Sequence, residues 1–450
     1  MGKVGKSMKP KLIKSNIKLT IGMLVSNHVG IIRDCMESIK PLLDAVPSEL
    51  VVADTVGEET DGSIEIVKEY TDKIHRFIWC NDFSAARNFL LDHARGEWFL
   101  YLDDDEWFDD VQEFIDFFKN GESERYYSGY YYTRDYSADG SYSMGIAGRM
   151  IRRSVNTRFI GKIHETFNEV FSPNKQFSCF THHLGYVFAD EAAKKKHSFR
   201  NISLLREELE TSGHTPRICA QMVQELLYLP ETREEGGSFC LESIERLQAA
   251  GQMEDSLSQW LLLASVRFYF SKGEHEETVR QGEEICSRYK VTEMAKLGIA
   301  WVVVYSASVL RDYSKVETWA NIYLECYDWL RKHSEEALQQ TNLDMPKYYN
   351  EQSLVDVLQA GVAASNTAGR FEAALEYFKR FPWKEYEEGK AKWFDGSRYR
   401  DALMITLHGL ADKSYLLSYY KRFYKEEWFL PENREYLPKE CREILSDEIA

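Results

Sequence analysis

The chain lacks the features that would tie it to a membrane, a disulfide scaffold or a nucleic acid. It contains no apolar run of about 18 residues, so no segment is expected to span a bilayer. Residues 1–16 are basic and rich in Gly and Lys, without the roughly 7–15-residue apolar stretch of a signal peptide, and are expected to form a disordered tail. The eight cysteines, Cys35, Cys80, Cys179, Cys219, Cys240, Cys286, Cys326 and Cys441, form no C-x-x-C pair in a chain too large to need staples. They are expected to be reduced core thiols of a cytoplasmic protein. Positive charge is also in deficit: 56 Lys and Arg against 72 Asp and Glu leave a formal net charge of -16. That excludes strong affinity for a nucleic-acid backbone or an anionic membrane, both of which need clustered cations. A polyanionic ligand would need the help of a metal ion. What remains is a foldable chain of 450 residues, 44% hydrophobic and 14% aromatic, enough for two or three domains with sizeable cores.

The most informative stretch is Trp98-Phe-Leu-Tyr-Leu-Asp-Asp-Asp-Glu106, an apolar strand that runs into four consecutive carboxylates. Like charges within about 4 Å raise one another's pKa unless a cation sits among them, so the simplest reading is a metal site. Asp103 and Asp105, alternate residues of an extended segment, are expected to point to the same side. Upstream, residues 18–26 are β-branched and apolar, residues 31–43 show helical spacing, and residues 49–53 are apolar again, the beginning of a βαβ pattern. Residues 61–70 read as a second helix capped by Asp61 or Ser63, residues 74–79 as a third strand and residues 84–94 as a further helix. Such units imply a mostly parallel sheet whose ligands gather at the carboxyl ends of the strands, where Asp54 and residues 103–106 lie.

Four segments in order, Val51-Val-Ala-Asp-Thr55, Asp61-Gly-Ser63, Asn81-Asp-Phe-Ser-Ala-Ala-Arg-Asn88 and residues 96–106, resemble the nucleotide-sugar domain of family-2 glycosyltransferases. The resemblance continues through Arg149-Met-Ile-Arg152, Gly161-Lys-Ile-His-Glu165, His183-Leu-Gly-Tyr186 and Lys196-His-Ser-Phe-Arg-Asn201. With a helical region behind it, the pattern is similar to the branch containing the sublancin-type peptide S-glycosyltransferases. It covers residues 17–210 by motif and the remainder by architecture. The fold it implies is a GT-A, Rossmann-like α/β domain over residues 17–210, followed by an all-α tetratricopeptide-like domain over residues 211–450.

The activity it implies is inverting, metal-dependent transfer from a UDP-sugar, with Mn²⁺ or Mg²⁺ as Lewis acid on the departing diphosphate. By resemblance, Asp103 and Asp105 form the Asp-x-Asp motif and His183 completes the metal shell. Asp54 is implied in uracil recognition and Arg87 in phosphate or base binding, with an ion pair to a neighbouring Asp as its alternative. Asp104 and Asn27 complete the nucleotide-binding set. Two departures stand out: Asn27 is followed by His28 where the family has a glutamate, and residues 55–60 form a longer loop than usual.

An inverting transfer needs a base for the acceptor's proton, and its transition state is oxocarbenium-like by analogy with glycoside hydrolysis. Residues 161–165 present His164 and Glu165 side by side, and the base is read as Glu165 or His164, with Asp104 and Glu106 as remaining alternatives. A cysteine thiol acceptor would need a base less, since a few per cent is already thiolate near neutral pH. Acceptors of two kinds fit: a Cys, Ser or Thr side chain of a peptide, or a glycan in cell-surface assembly. A non-catalytic sugar-nucleotide adaptor is the reading of a different class. Between these motifs, residues 129–136 and 141–150 form a tyrosine-rich hairpin joined at residues 138–140.

From residue 194 onward strand signals vanish. Residues 258–270 with 276–289, and 354–366 with 370–381, read as helical hairpins, and residues 294–310, 316–330 and 401–430 as further helices. Residues 369–378 resemble the turn and second helix of a tetratricopeptide unit, with small Gly369 and Ala374 where helices must approach closely. Trp301, Trp319, Trp329, Trp383 and Trp393 are expected in the core. Such a stack offers a surface for a peptide, a partner or a second copy of the chain.

Overall fold

The computed structural model describes residues 10–428, apart from 59, 138, 186, 189, 342, 424 and 427. The chain divides into two units, residues 1–213 and 214–450.

The first unit opens on β1 (Leu19–Val25), α1 (Ile32–Ala45), β2 (Ser48–Asp54), α2 (Ser63–Val67), β3 (Ile74–Arg76), α3 (Phe83–His93) and β4 (Trp98–Asp103). It continues through β5 (Glu106–Phe108), α4 (Gln112–Lys119), β6 (Ser128–Tyr136), β7 (Tyr142–Arg152), β8 (Phe159–Ile160), β9 (Thr166–Phe167), β10 (Asn174–His183) and α5 (Glu191–Ser212). Eight strands form one sheet in the order β3-β2-β1-β4-β7-β6-β10-β5, and β8 pairs with β9 apart from it. The βαβ half from β3 to β4 is parallel, as expected. The sheet as a whole is mixed, because the tyrosine-rich β6–β7 hairpin inserts β7 antiparallel beside β4.

β1 and β4 are buried on both faces, which is why they read as continuous apolar runs. One face packs Ile32, Cys35, Met36 and Ile39 of α1 with Phe114 and Phe117 of α4. The other packs Ala86, Leu90 and Leu91 of α3 with Phe159 and Phe167 of the small hairpin. Of the tyrosines, Tyr131 is fully buried in the first layer, while Tyr142 is 49% exposed. This is the GT-A expectation met: a Rossmann-like half with its strand ends gathered at one edge, followed in sequence by an all-α region.

Residues 1–9 of the expected tail lie outside the described residues. Residues 10–16 are not free chain: Leu12 bridges Ser154, and the Ile13 amide donates to the Arg153 carbonyl at 2.9 Å. Among the described cysteines none forms a disulfide, and Cys35, Cys219, Cys240 and Cys326 are buried. Cys80 is exposed, correcting the core assignment, because it sits in the loop after β3 rather than on a packed face. Cys441 lies outside the described residues. No helix among the described residues is long and apolar enough to cross a membrane.

The second unit is a succession of antiparallel helices: α6 (Pro216–Tyr228), α7 (Arg233–Ala249), α8 (Ser256–Ser271), α9 (His275–Arg288), α10 (Glu293–Val309), α11 (Tyr313–Lys332), α12 (Ser334–Gln340), α13 (Glu351–Thr367) and α14 (Phe371–Lys379). Shorter helices follow as far as Phe423, and the end of the expected helical stretch 401–430 lies outside the described residues. Both expected hairpins form, as α8–α9 and α13–α14. The close approach in the second is not at Gly369, which takes φ +69 in the turn with open space around it. It is at Gly361, where a Cβ would meet the Tyr377 ring at 2.7 Å. Trp319 and Trp383 are buried as expected, whereas Trp393 is 40% exposed and Trp301 lines two surface cavities.

Candidate active site

β4 carries Asp103 out of the core, the backbone turns at Asp104 and Asp105, and β5 returns antiparallel to β10 with Glu106 opposite His183. The acidic run is therefore a turn, which corrects the expected extended segment. Chain reversal sends Asp103 and Asp105 to different partners. Asp103 accepts from Arg87 on one oxygen and from Arg149 Nη1 on the other at 2.7 Å. Burial alone would push its carboxyl up, but Arg149 and Arg87 outweigh that and hold it well below the usual carboxylate range.

Asp105 faces His183, with Oδ1 3.7 Å from Nε2. Burial pushes the Asp105 carboxyl up, and the charge of Asp103 adds to the effect. The other ring nitrogen of His183, Nδ1, lies 2.8 Å from Asp135 Oδ1. Donating Nδ1–H there fixes the ring with Nε2 turned to Asp105, the nitrogen that would ligate an ion on losing its proton. Burial works against the imidazolium, yet the Asp135 hydrogen bond and the charges of Asp105 and Glu106 push His183 up to about 9. Glu106 is fully buried and accepts from Arg149, from the Asp103 amide at 3.0 Å and from the Thr181 hydroxyl at 3.2 Å. It is a girder beneath the turn.

Asp104 is also committed to the protein. It accepts from the Ser26 amide at 2.6 Å and pairs with His28 Nδ1 at 2.9 Å, tying the end of β1 to the acidic turn. His28, where the family pattern has a glutamate, thus fills its place with an ion pair. Asn27 beside it is exposed. Asp54 accepts from Arg76 and from the Val56 amide, both at 3.0 Å. Neither Asn27 nor Asp54 lines the cleft, although their neighbours Ser26, His28 and Thr55 do.

α3 begins at Asp82, whose carboxylate accepts from the Ala85 amide at 2.9 Å, an N-cap that fixes the helix over the sheet. Arg87, 2% exposed, lies over the Tyr101 ring at 4.5 Å and donates from Nη2 to Asp103 and from Nε to Glu165 Oε1 at 3.0 Å. Its Nη1 is buried without a hydrogen-bond partner among the described residues. Glu165 arrives on the loop between β8 and β9, where Gly161 takes φ +98 and His164 takes φ +50. A non-glycine residue in the left-handed region costs about 1–2 kcal/mol, so the surrounding contacts must hold His164 there. The cleft has a volume of about 650 Å³, and α5 adds His197, Arg200 and Asn201 to its wall.

Sequence reasoning missed Asp135, Arg149 and these α5 residues. Arg149 and the α5 segment were visible only as motif letters without a role. Asp135 carried no signal, since it meets His183 only through the β6–β10 register.

No group of three or more His, Cys, Asp or Glu side chains able to hold a metal ion occurs among the described residues. The pair Asp105 and His183 does fit an ion that takes its other ligands from diphosphate and water. A Cβ on Gly185 would lie 2.5 Å from His183 Nε2 and 2.9 Å from Asp105 Oδ2, so the missing side chain keeps the space between the two donors open.

The chain is 26% identical over 261 residues to the SPbeta prophage-derived glycosyltransferase SunS of Bacillus subtilis (strain 168), covering 55% of this chain. The match spans 58% of that relative's own length. A TPR repeat-containing protein of Synechococcus elongatus is 35% identical over 89 residues, 20% of this chain and 21% of that one. Among solved structures, S. aureus TarS 1-349 in complex with UDP-GlcNAc aligns with a TM-score of 0.31 at 12% identity over 71% of this chain and 92% of that chain. The family model described as Glycosyl transferase family 2 matches residues 20–186, from β1 to just beyond His183. The part of the chain that the family-2 glycosyl transferase model matches is thus this sheet, with its acidic turn and the histidine at its far end.

Proposed function

We propose that the chain transfers a sugar from a UDP-sugar, with inversion, to a Cys, Ser or Thr side chain of a peptide. The observation that carries this reading is Arg87, which joins Asp103 of the acidic turn to Glu165 of the strained loop across one cleft. Two polar functions thereby line a common cleft: the cations Arg87, Arg149 and Arg200, and a carboxylate for the acceptor's proton.

In the proposed reaction the acceptor's sulfur or oxygen attacks the anomeric carbon opposite the leaving group. The bond from that carbon to the diphosphate oxygen breaks, and the acceptor proton passes to Glu165, with His164 the alternative base. Asp105 and His183 would hold a divalent ion, which supplies Lewis-acid neutralisation of the leaving diphosphate. Asp103, with both oxygens on guanidiniums, is assigned to orienting Arg87 and Arg149 near the ribose and phosphates. Asp104 is assigned to holding the β1 loop, and Asp54 and Asn27 to the outer, base-binding end.

UDP titrated with and without Mn²⁺, followed by UDP release from a panel of UDP-sugars, tests the reading. Asp105→Ala is expected to remove both metal-dependent UDP binding and turnover, and Glu165→Gln to lower kcat by about 10²–10⁴ while UDP still binds. Unchanged sugar transfer by Asp105→Ala would overturn the metal assignment.

A further inference from the structure

The helical unit carries an unbalanced cluster of cations. A cavity of about 730 Å³ between α6, α7, α8 and α10 is lined by Arg233, Arg267 and Lys347, with Asp344 as the carboxylate among them. Asp344 takes Arg267 Nη1 and Lys347 Nζ, each at 2.7 Å, and the Trp260 indole N–H at 2.9 Å. Arg233 has no side-chain hydrogen bond or ion pair among the described residues. Three cations against one carboxylate is the reverse of a chain whose net charge is -16. Burial, with the neighbouring charge of Arg267, pushes the Lys347 ammonium below its usual range despite its pairing with Asp344.

The remaining walls are aromatic. Trp301 is shared with a second cavity of about 490 Å³, where Tyr305, 50% exposed, stacks on it at 6.0 Å beside Val309, 51% exposed. Cationic cavity and apolar groove therefore meet at one indole, forming a track longer than a compact small molecule would fill. Charge complementarity names the occupant's first group as a carboxylate. The apolar groove names a bulky apolar side chain a few residues away.

We propose that this track binds an extended peptide segment pairing an acidic residue with an aromatic or aliphatic one, which, resting on the peptide-acceptor reading, is part of the acceptor. Arg233 and Arg267 hold the carboxylate, and Trp301 separates it from the apolar side chain seated against Tyr305 and Val309.

Fluorescence anisotropy of the full chain with labelled seven-residue peptides tests it. One peptide carries Glu and Phe three positions apart, and its controls carry Gln for Glu or Ser for Phe. The Glu–Phe peptide is expected to bind at least about tenfold tighter than either control, the scale of one charge-assisted contact. Arg233→Glu, on an unpaired side chain, is expected to erase the preference for Glu over Gln, and Ala363→Arg in the groove the preference for Phe over Ser. Equal binding of all three peptides, or none up to about 1 mM by a chain whose melting temperature is unchanged, overturns the proposal. So does a concentration-dependent dimer that Arg233→Glu dissolves, which would give the track to a second copy. UDP binding to the same preparation is read separately. Peptide binding without it would sink the transferase reading alone, and UDP binding without peptide selectivity would sink this one alone.

Discussion

At Arg87 one buried guanidinium serves two carboxylates, and its removal leaves Glu165 unpaired and Asp103 dependent on Arg149. Arg87→Met is expected to destabilise the first unit by about 3–5 kcal/mol, the range for a broken buried pair, as measured by urea unfolding. A loss below about 1 kcal/mol would mean that Arg149 alone balances the site. Gly185→Ala is a finer probe, because the added Cβ falls between Asp105 and His183. It is expected to abolish the rise in melting temperature that Mn²⁺ with UDP gives the unvaried chain, while leaving unfolding without metal within about 1 kcal/mol. An undiminished response to Mn²⁺ would move the ion elsewhere. At this scale the sequence named side chains that the structure brings to one cleft, but not their pairing. Asp105, His183 and Arg87 were legible from their motifs, whereas the destination of each Asp103 oxygen depended on a turn that an unbroken acidic run disguised as strand.

Helices and strands were legible where periodicity was strong, but their ends were less so: α3 was read from residue 84, and its cap Asp82, which sets the height of Arg87, was not read from the sequence. Asp82→Ala is expected to cost about 1 kcal/mol and to lower turnover with little change in UDP affinity, a split read from kcat against KM. The α13–α14 contact was legible only as a hairpin. The two glycines of α13 and its turn differ in duty, since Gly369 supplies a left-handed conformation and Gly361 supplies room for Tyr377. Gly361→Ala is expected to cost about 1–3 kcal/mol by overpacking, seen as a lower denaturation midpoint for the helical unit. Which glycine does which cannot be read from spacing, because it depends on the azimuth at which the partner ring arrives. The mixed half of the sheet was hidden for a related reason: a hairpin inserted beside a parallel strand carries the same alternation as one at an edge.

Over the whole molecule, the buried Glu49 and the half-buried Asp344 tie distant segments and give the chain a defined response to acid. Burial opposes the charge on Glu49, but hydrogen bonds from Lys73 at 2.5 Å, Thr20 at 2.7 Å and the Arg95 amide at 2.6 Å outweigh it and lower its pKa. Asp344 is likewise lowered, burial being overcome by Arg267, Lys347 and Trp260. A depressed folded-state pKa contributes stability that is complete above the unfolded value, about 4, and is lost as pH falls through it toward the folded value. Melting temperature is therefore expected to hold from pH 7 to about 5 and to drop below about 4. Glu49→Gln should flatten that drop for the first unit, and an unaltered profile would remove Glu49 as a contributor. The eight-stranded sheet has a further consequence. It ends on both sides in strands of only three residues, Ile74–Arg76 and Glu106–Phe108. At those two strands the row of open amides and carbonyls is short, which guards them against rim-to-rim aggregation. β10 runs past β5 through residues 174–180, where the Ser178 amide donates to Glu113 and the Asp109 amide donates to the Phe180 carbonyl, so a polypeptide adding its backbone there would meet an interrupted ladder.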